Sequence, residues 1–252
     1  MIKLENISKI TENFKILNNI SFELGKGEIF GYLGPNGSGK TSTINILAGL
    51  DTDYDGKYII NGENFKSKNN SFKSIIGHVP EHPHLFPYLT GREFLWFIGS
   101  LYLINEKKIE ELIEYWGDFF RITPWYDRLC KNFPKGIRQK FGLIAALINE
   151  PEILLLDEPT SSLDPSSAHL VKLLINELKS QGKSIFLTTH ILEIAEILCD
   201  HIAIIKHGNI IASGTIDSLK QDTSKKDANL EDIFLELTGE FEYKELIESL
   251  RK

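Results

Sequence analysis

The chain has 252 residues, of which 42% are apolar and 25% are charged, and its formal net charge is −7. These values are typical of a globular protein with a sizeable core, and the negative charge argues against a nucleic-acid partner, which would favour a basic surface. Cys130 and Cys199 have no metal-binding or disulfide spacing, which predicts a reducing, cytoplasmic environment. Residues 1–6 lack the apolar core of a signal peptide, and no apolar run approaches the roughly 20 residues of a membrane span.

The first half of the chain predicts strands followed by a block of helices. Residues 1–30 alternate apolar and polar side chains, as in Ile20-Ser21-Phe22-Glu23-Leu24, and we predict antiparallel strands there. Residues 55–62 repeat this alternation between two turns. From Thr90 to Leu147 the apolar residues recur at helical spacing instead, which predicts amphipathic helices.

The second half returns to alternating strands and helices, a pattern that favours an α/β fold. The predicted elements are a strand at 153–157, a helix at 168–179, a strand at 184–188 and a hairpin at 202–211 with a Gly-Asn turn. The polar residues 221–229 predict a flexible linker. Asn229 is suited to cap a short helix that carries Leu230, Ile233, Phe234 and Leu237 on one face and ends at Gly239.

Residues 34–41 read Gly-Pro-Asn-Gly-Ser-Gly-Lys-Thr, which is the G-x-x-x-x-G-K-T pattern of a phosphate-binding loop. The apolar residues 29–33 predict a buried strand before the loop, and residues 41–47 predict a helix after it, as the motif requires. Glycines allow backbone N–H groups to surround phosphate oxygens, and the helix N-terminus adds a partial positive charge. We predict that Lys40 reaches the β- and γ-phosphates and that the Thr41 hydroxyl binds Mg²⁺. The predicted nucleotide-binding residues here are Gly34, Pro35, Asn36, Gly37, Ser38, Gly39, Lys40, Thr41 and Ser42.

A second motif is an apolar strand, residues 153–156, that ends in Asp157 and Glu158. Ligands of parallel α/β sheets bind at the carboxyl ends of the strands, so these carboxylates are expected beside the phosphate loop. We predict that Asp157 binds Mg²⁺ and that Glu158 orients or deprotonates the attacking water.

With further motifs in the same order, the chain resembles the nucleotide-binding subunits of ATP-binding cassette (ABC) transporters over about residues 2–214. Glu81 stands where that family carries its γ-phosphate-sensing Gln, residues 133–140 stand in place of the Leu-Ser-Gly-Gly-Gln signature, and residues 161–164 correspond to the D-loop. His190 matches the switch histidine and is predicted to be catalytic with Glu158. The loop sequence Pro80-Glu81 and the tail at 230–238 resemble the type-2 exporter branch.

Three positions depart from the family pattern. Glu81 replaces Gln, and its carboxylate is expected to bind Mg²⁺. Pro134 replaces the signature serine and has neither a hydroxyl nor a backbone N–H to donate to phosphate. The aromatic residue that stacks on adenine aligns near Thr11, where Phe14 either takes its place or packs on the sheet edge.

The resemblance implies a P-loop NTPase fold with a mixed sheet, an N-terminal antiparallel β subdomain and an inserted helical subdomain at about 88–147. It divides the chain into an ATPase domain at 1–215 and a tail with short helices at 216–252. It further implies an ATPase that requires ATP and Mg²⁺ and lies on the inner face of the cell membrane. This ATPase would pair with a second cassette, identical or different. The pair would drive a transmembrane permease chain in the direction of export. Two alternatives remain open: an assembly ATPase without a permease, and a regulatory subunit that hydrolyses ATP poorly.

Overall fold

The structure is a computed structural model and describes residues 2–12, 14–65, 71–221 and 230–238. Its strands are β1 (Ile2–Thr11), β2 (Phe14–Leu24), β3 (Ile29–Leu33), β4 (Asp55–Ile60), β5 (Glu63–Asn64), β6 (Ile76–Val79), β7 (Ile153–Asp157), β8 (Ser184–Thr189), β9 (His201–Lys206) and β10 (Asn209–Gly214). Its helices are α1 (Lys40–Leu47), α2 (Gly91–Leu101), α3 (Glu106–Phe120), α4 (Lys135–Leu147), α5 (Pro165–Ser180), α6 (Leu192–Leu198), α7 (Ile216–Gln221) and α8 (Leu230–Thr238). No described helix has both the length and the apolar character that a membrane span requires.

Two sheets form the centre of the fold. The smaller is antiparallel in the order β2-β1-β4-β5, as the alternation in residues 1–30 and 55–62 predicts. The larger has the order β10-β9-β3-β8-β7-β6, in which β9, β3, β8, β7 and β6 run parallel and β10 is an antiparallel edge strand. This mixed α/β architecture confirms the predicted fold class.

The central strands of the large sheet are buried on both faces, which explains their continuous apolar sequences. One face packs on the small sheet through stacked or tilted rings of Phe22, Phe30, Tyr32 and Phe186, whose centroids lie 4.9 to 5.9 Å apart. Helix α1 packs on this same face through Ile44, Ile46 and Leu47, and the opposite face carries the cluster to which the other helices contribute. As a result, the carboxyl ends of β3, β7 and β8 meet at one protected edge.

The helical block contains α2, α3 and α4. The N-cap of α2 is Thr90, which accepts a hydrogen bond from the Glu93 N–H while the Glu93 carboxylate accepts one from the Thr90 N–H, so the two residues form a capping box. Asn105 caps α3 through the N–H of Lys108. Trp116, Phe120 and Phe141 are buried between these helices and the large sheet, whereas Phe97 and Tyr115 are exposed, so the aromatic residues of this block are only partly core.

The predicted hairpin at 202–211 is confirmed, but its turn was placed one residue too late. Asn209 pairs with Lys206 in the ladder, so the turn residues are His207 and Gly208 rather than Gly-Asn. Both have positive φ, 47° and 75°, which is what a two-residue hairpin requires for its twist to match that of the strands. His207 occupies the first turn position, because histidine tolerates the left-handed region better than most residues. Gly208 occupies the second.

The predicted tail helix is present as α8, and Gln221 belongs to α7 rather than to a linker. The rest of the predicted linker, the capping Asn229 and the terminating Gly239 lie outside the described residues. Leu230 and Ile233 of α8 are fully buried in the core that the helices share with the large sheet.

Candidate nucleotide site

The phosphate loop joins the end of β3 to the start of α1, and its glycines are required by geometry. Gly37 and Gly39 have φ of +76° and +113°, a region in which other residues are strained. A Cβ on Gly34 would collide with the carbonyl oxygen of Ile205 in β9. The loop is therefore held tightly against the neighbouring strand with its backbone N–H groups near the helix N-terminus, an arrangement suited to anions.

A cavity of about 560 Å³ opens beside this loop at the carboxyl edge of the large sheet. A larger groove of about 800 Å³ between α3 and α5 is lined mainly by apolar side chains and contains no phosphate-binding element, so the smaller cavity is the candidate site. The smaller cavity is lined by Gly34, Pro35, Asn36, Gly37, Gly39, Lys40, Thr41, Ser42, Glu81, Asp157, Glu158, His190 and Phe234.

Ser38 and Phe14 are the predicted site residues that do not line the cavity. The Ser38 side chain is buried under the loop, and its hydroxyl has no hydrogen-bond partner among the described residues. Phe14 lies at the start of β2 and is 77% exposed, so it neither borders the cavity nor packs on the sheet edge. Its role as the adenine-stacking residue stays a prediction.

Lys40 is buried with its ammonium folded back over the loop. Its Nζ donates to the carbonyl oxygens of Gly34 at 2.7 Å and Pro35 at 3.2 Å. Burial lowers the pKa of Lys40, although the charges of Glu158, Asp157 and Glu81 act in the opposite direction. The ammonium therefore lies at the phosphate loop and faces the cavity, a position that fits the phosphates of a nucleotide.

Asp157, at the end of β7, is buried next to two hydroxyl groups. The Thr188 hydroxyl in β8 donates to its carboxylate, and the Thr41 hydroxyl interacts with it as well. Burial raises the pKa of Asp157 and nearby Glu81 adds to this, whereas the Thr188 hydrogen bond opposes the shift. The site thus places one hydroxyl and two carboxylates, from Thr41, Asp157 and Glu81, around one region.

These oxygen donors match the preference of Mg²⁺, which in proteins is bound through one or two carboxylates together with substrate phosphates. Within the described part of the chain, no group of three or more His, Cys, Asp or Glu side chains is arranged to hold a metal ion by itself. A cation at this site would therefore depend on the nucleotide for the rest of its ligands.

Glu158 and His190 form a close polar pair at the cavity. Nδ1 of His190 lies 2.8 Å from Oε1 of Glu158, and the Glu158 side chain is only 8% exposed while that of His190 is 59% exposed. Glu158 has a left-handed backbone, with φ of +48°, and its N–H donates to the carbonyl of Thr188 at 3.1 Å. Glu158 is thus a buried carboxylate that lines the cavity and has a strained backbone. Such strain costs stability and is common at functional sites.

The signature loop does not line the cavity of its own chain. Pro134 is the N-cap residue of α4 and provides no side-chain hydrogen bond to the first turn. Gly136 faces the D-loop, since a Cβ there would lie 3.1 Å from the carbonyl oxygen of Ser162. Asp164, the last D-loop residue, caps α5 by accepting from the Ser167 N–H at 3.0 Å.

Sequence reasoning missed two contributors to the site. Thr188 belongs to the segment Thr188-Thr189-His190 that carries the family resemblance, but its hydrogen bond to Asp157 is not predicted by that motif, and Phe234 is predicted only as part of the apolar face of the tail helix. Neither contact is visible in the local sequence, because each arises from the packing of distant segments.

The fold and the cavity define a P-loop nucleoside triphosphatase of the α/β class. Comparison with known proteins agrees, because the family model described as "ABC transporter" matches residues 17–161, more than half of the chain. The chain therefore belongs to the ABC transporter family. The predicted family and fold are thereby confirmed, and with them the assignment to the ATPase subunits of this family.

Individual relatives extend this similarity over most of the chain. An uncharacterized ABC transporter ATP-binding protein of Methanocaldococcus jannaschii is 38% identical over 218 residues, which cover 86% of this chain and 79% of that protein. Nod factor export ATP-binding protein I of Cupriavidus metallidurans is 34% identical, over 85% of this chain and 71% of that protein. A solved ATP-binding subunit of an ABC transporter is 30% identical and superimposes with a TM-score of 0.88, covering 94% of this chain and 99% of the other.

Proposed function

We propose that this chain binds and hydrolyses ATP to drive a separate membrane permease, and that the transport is export. The observation that carries the proposal is the single cavity that brings together the phosphate loop, the buried Lys40, and the pair formed by Glu158 and His190. The direction is supported by the similarity to a Nod factor export ATP-binding protein and by the resemblance of the Glu81 loop and the tail to type-2 exporters.

The roles of the residues follow from their positions. The loop N–H groups and Lys40 bind the β- and γ-phosphates, while Thr41, Asp157 and Glu81 would hold Mg²⁺, which when bound neutralises phosphate charge. Glu158 orients a water molecule toward the γ-phosphate and accepts its proton. His190, hydrogen-bonded to Glu158, fixes the direction of that carboxylate and reaches the γ-phosphate from the exposed side.

A second cassette, identical or different, is part of the proposal. The signature loop lies outside the cavity of its own chain, and a partner's copy would complete each site, so that ATP binding closes the pair and hydrolysis releases it. In this arrangement residues 1–215 form the ATPase domain with a helical subdomain at about 88–147, and residues 216–252 form the tail. The assembly would sit on the cytoplasmic face of the membrane, against the permease.

Two measurements test the proposal. The purified chain should release phosphate from ATP in the presence of Mg²⁺, and Lys40→Ala should abolish that release. A membrane protein should co-purify with the full chain from a detergent extract, and its identity would reveal the permease. If the chain hydrolyses ATP but no membrane protein co-purifies with it, an assembly ATPase is favoured instead.

One observation favours a second candidate, a regulatory subunit with weak hydrolysis. Pro134 offers no hydrogen bond at the tip of the signature loop, where the family places a donor to the partner's γ-phosphate. Under this candidate, turnover of the isolated chain is slow and rises when a different cassette with a serine at that position is added.

A further inference from the structure

The aromatic ring at the nucleotide cavity comes from the tail helix α8. Phe234 lines the cavity together with Glu158 and His190. The remaining lining residues belong to the phosphate loop, the first turn of α1, the end of β7 and the loop that follows β6. One wall of the site is therefore apolar and is supplied by a segment outside the region that the family model matches.

The N-terminal half of α8 is anchored next to the switch histidine. Leu230 and Ile233 are 0% and 1% exposed, and they belong to the same apolar cluster as Ile194 and Ala195 of α6. Helices α6 and α8 are in contact, and α6 begins two residues after His190. The packing that holds Phe234 in place therefore also holds the segment that carries this histidine.

The C-terminal end of α8 is anchored next to the phosphate loop. The Lys206 ammonium of β9 donates a hydrogen bond to the carbonyl of Thr238 in the last turn of α8. The same region of β9 and its turn supports the loop, because the N–H of Gly208 donates to the Ser38 carbonyl at 3.0 Å. Both ends of α8 are thus attached to elements that build the phosphate site.

We propose that Phe234 contacts the bound nucleotide and that docking of α8 is linked to ATP binding. This rests on the proposed function, because it adds a residue to the same cavity. The ring is partly exposed in the free chain, and a nucleotide in the cavity buries more of it, which favours binding. Because linkage is reciprocal, a nucleotide that binds more tightly to the docked helix stabilises the docked helix by the same factor.

The affinity test uses the full chain and isothermal titration with Mg-ATP. Phe234→Ala removes the ring and should raise the dissociation constant about two- to tenfold, the range expected for one aromatic contact. Phe234→Leu keeps an apolar wall and should show a smaller rise. Leu237→Ala is the matched control, since Leu237 lies on the same helix, is 38% exposed and does not line the cavity; its affinity should equal that of the wild type.

Hydrogen exchange measures the reciprocal effect and needs no variant. Saturating Mg-ATP should slow the exchange of the amides of residues 230–238 in the wild-type chain. In Phe234→Ala the slowing should shrink by the same factor as the affinity, while in Leu237→Ala it should persist. A helix that only supports the fold would slow no more than the core amides that exchange through global unfolding, because bound nucleotide stabilises the whole native state.

The outcomes separate this inference from the proposed function. If the wild-type chain binds ATP but α8 slows no more than these core amides, and Phe234→Leu and Phe234→Ala bind ATP as tightly as the wild type, the inference is overturned and the ATPase assignment stands. If the wild-type chain binds no ATP, the proposed function itself fails. Should Phe234→Ala not fold, Phe234→Leu and the wild-type exchange measurement still decide the question.

Discussion

Replacing Glu158 with Gln is the sharpest test of how the cavity hydrolyses ATP. The two side chains have nearly the same shape, so the buried position is refilled without a cavity. The Gln amide oxygen can still accept a hydrogen bond from Nδ1 of His190, which lies 2.8 Å from Glu158 Oε1. The left-handed backbone, with φ of +48°, costs Gln no more than Glu. The substitution therefore removes one negative charge and one proton acceptor and little else.

The expected loss of turnover is that of a general base, about 100- to 10,000-fold, which corresponds to about 3–5 kcal/mol of activation free energy. ATP affinity should stay the same or increase, because the carboxylate that is removed faces the same cavity as the phosphates. With binding intact and hydrolysis blocked, the ATP-bound pair of cassettes should accumulate in its closed form. The melting temperature without nucleotide should remain unchanged.

Phosphate release measures the turnover, and size-exclusion chromatography with ATP and Mg²⁺ measures the closed dimer. Glu193→Gln is the matched control, because Glu193 is an exposed carboxylate on α6 that lies outside the cavity, and it should leave both results at the wild-type level. Turnover at the wild-type rate in Glu158→Gln would refute the assignment of Glu158 as the base.

Three further predictions follow from the same geometry. Lys40→Ala removes the buried ammonium and should weaken ATP binding by roughly 10- to 100-fold, measured with a fluorescent ATP analogue; wild-type affinity would show that the loop does not hold nucleotide. Pro134→Ser, placed in the Glu158→Gln background, restores a donor worth about 1.5–3 kcal/mol and should lower the ATP concentration needed for dimerisation; equal dimerisation would mean that this proline does not limit the signature loop. Burial lowers the pKa of His78 from 6.5 to about 4, so the unfolded chain binds a proton in this interval that the native chain does not. Stability should consequently be lost as the pH falls from 6.5 toward 4, by up to about 1.4 kcal/mol per pH unit. Urea unfolding at several pH values should show a shallower slope for His78→Gln, and identical slopes would contradict a partly buried histidine that stays neutral in the native chain.

The sequence alone predicted the features that depend only on residues close together in the chain. The glycines and Lys40 of the phosphate loop are contiguous, and their chemistry requires only the strand before them and the helix after them. The strand that ends in Asp157 and Glu158 is likewise local, and its apolar run predicts burial on both faces. Alternation and helical spacing indicated the small sheet and the helical block for the same reason, because each reflects a repeat within one element.

Only part of the hairpin at 202–211 could be predicted from its local sequence. Its strands follow from apolar periodicity, but the turn depends on which residues pair across the ladder. The register that pairs Asn209 with Lys206 is fixed by the ladder between β10 and β9, and β9 in turn pairs with β3, so the turn consists of His207 and Gly208.

Only the tertiary structure decided which distant side chains meet at the cavity. The hydrogen bond from Thr188 to Asp157 and the pair of His190 with Glu158 join residues that lie about 30 positions apart, on adjacent strands and the loops after them. Phe234 reaches the cavity because its helix, α8, packs on α6 and is hydrogen-bonded to β9. The sequence around Phe234 indicates only that this position is apolar. The physical reason is that burial, register and side-chain approach depend on the packing of whole elements against one another, which no short sequence pattern encodes.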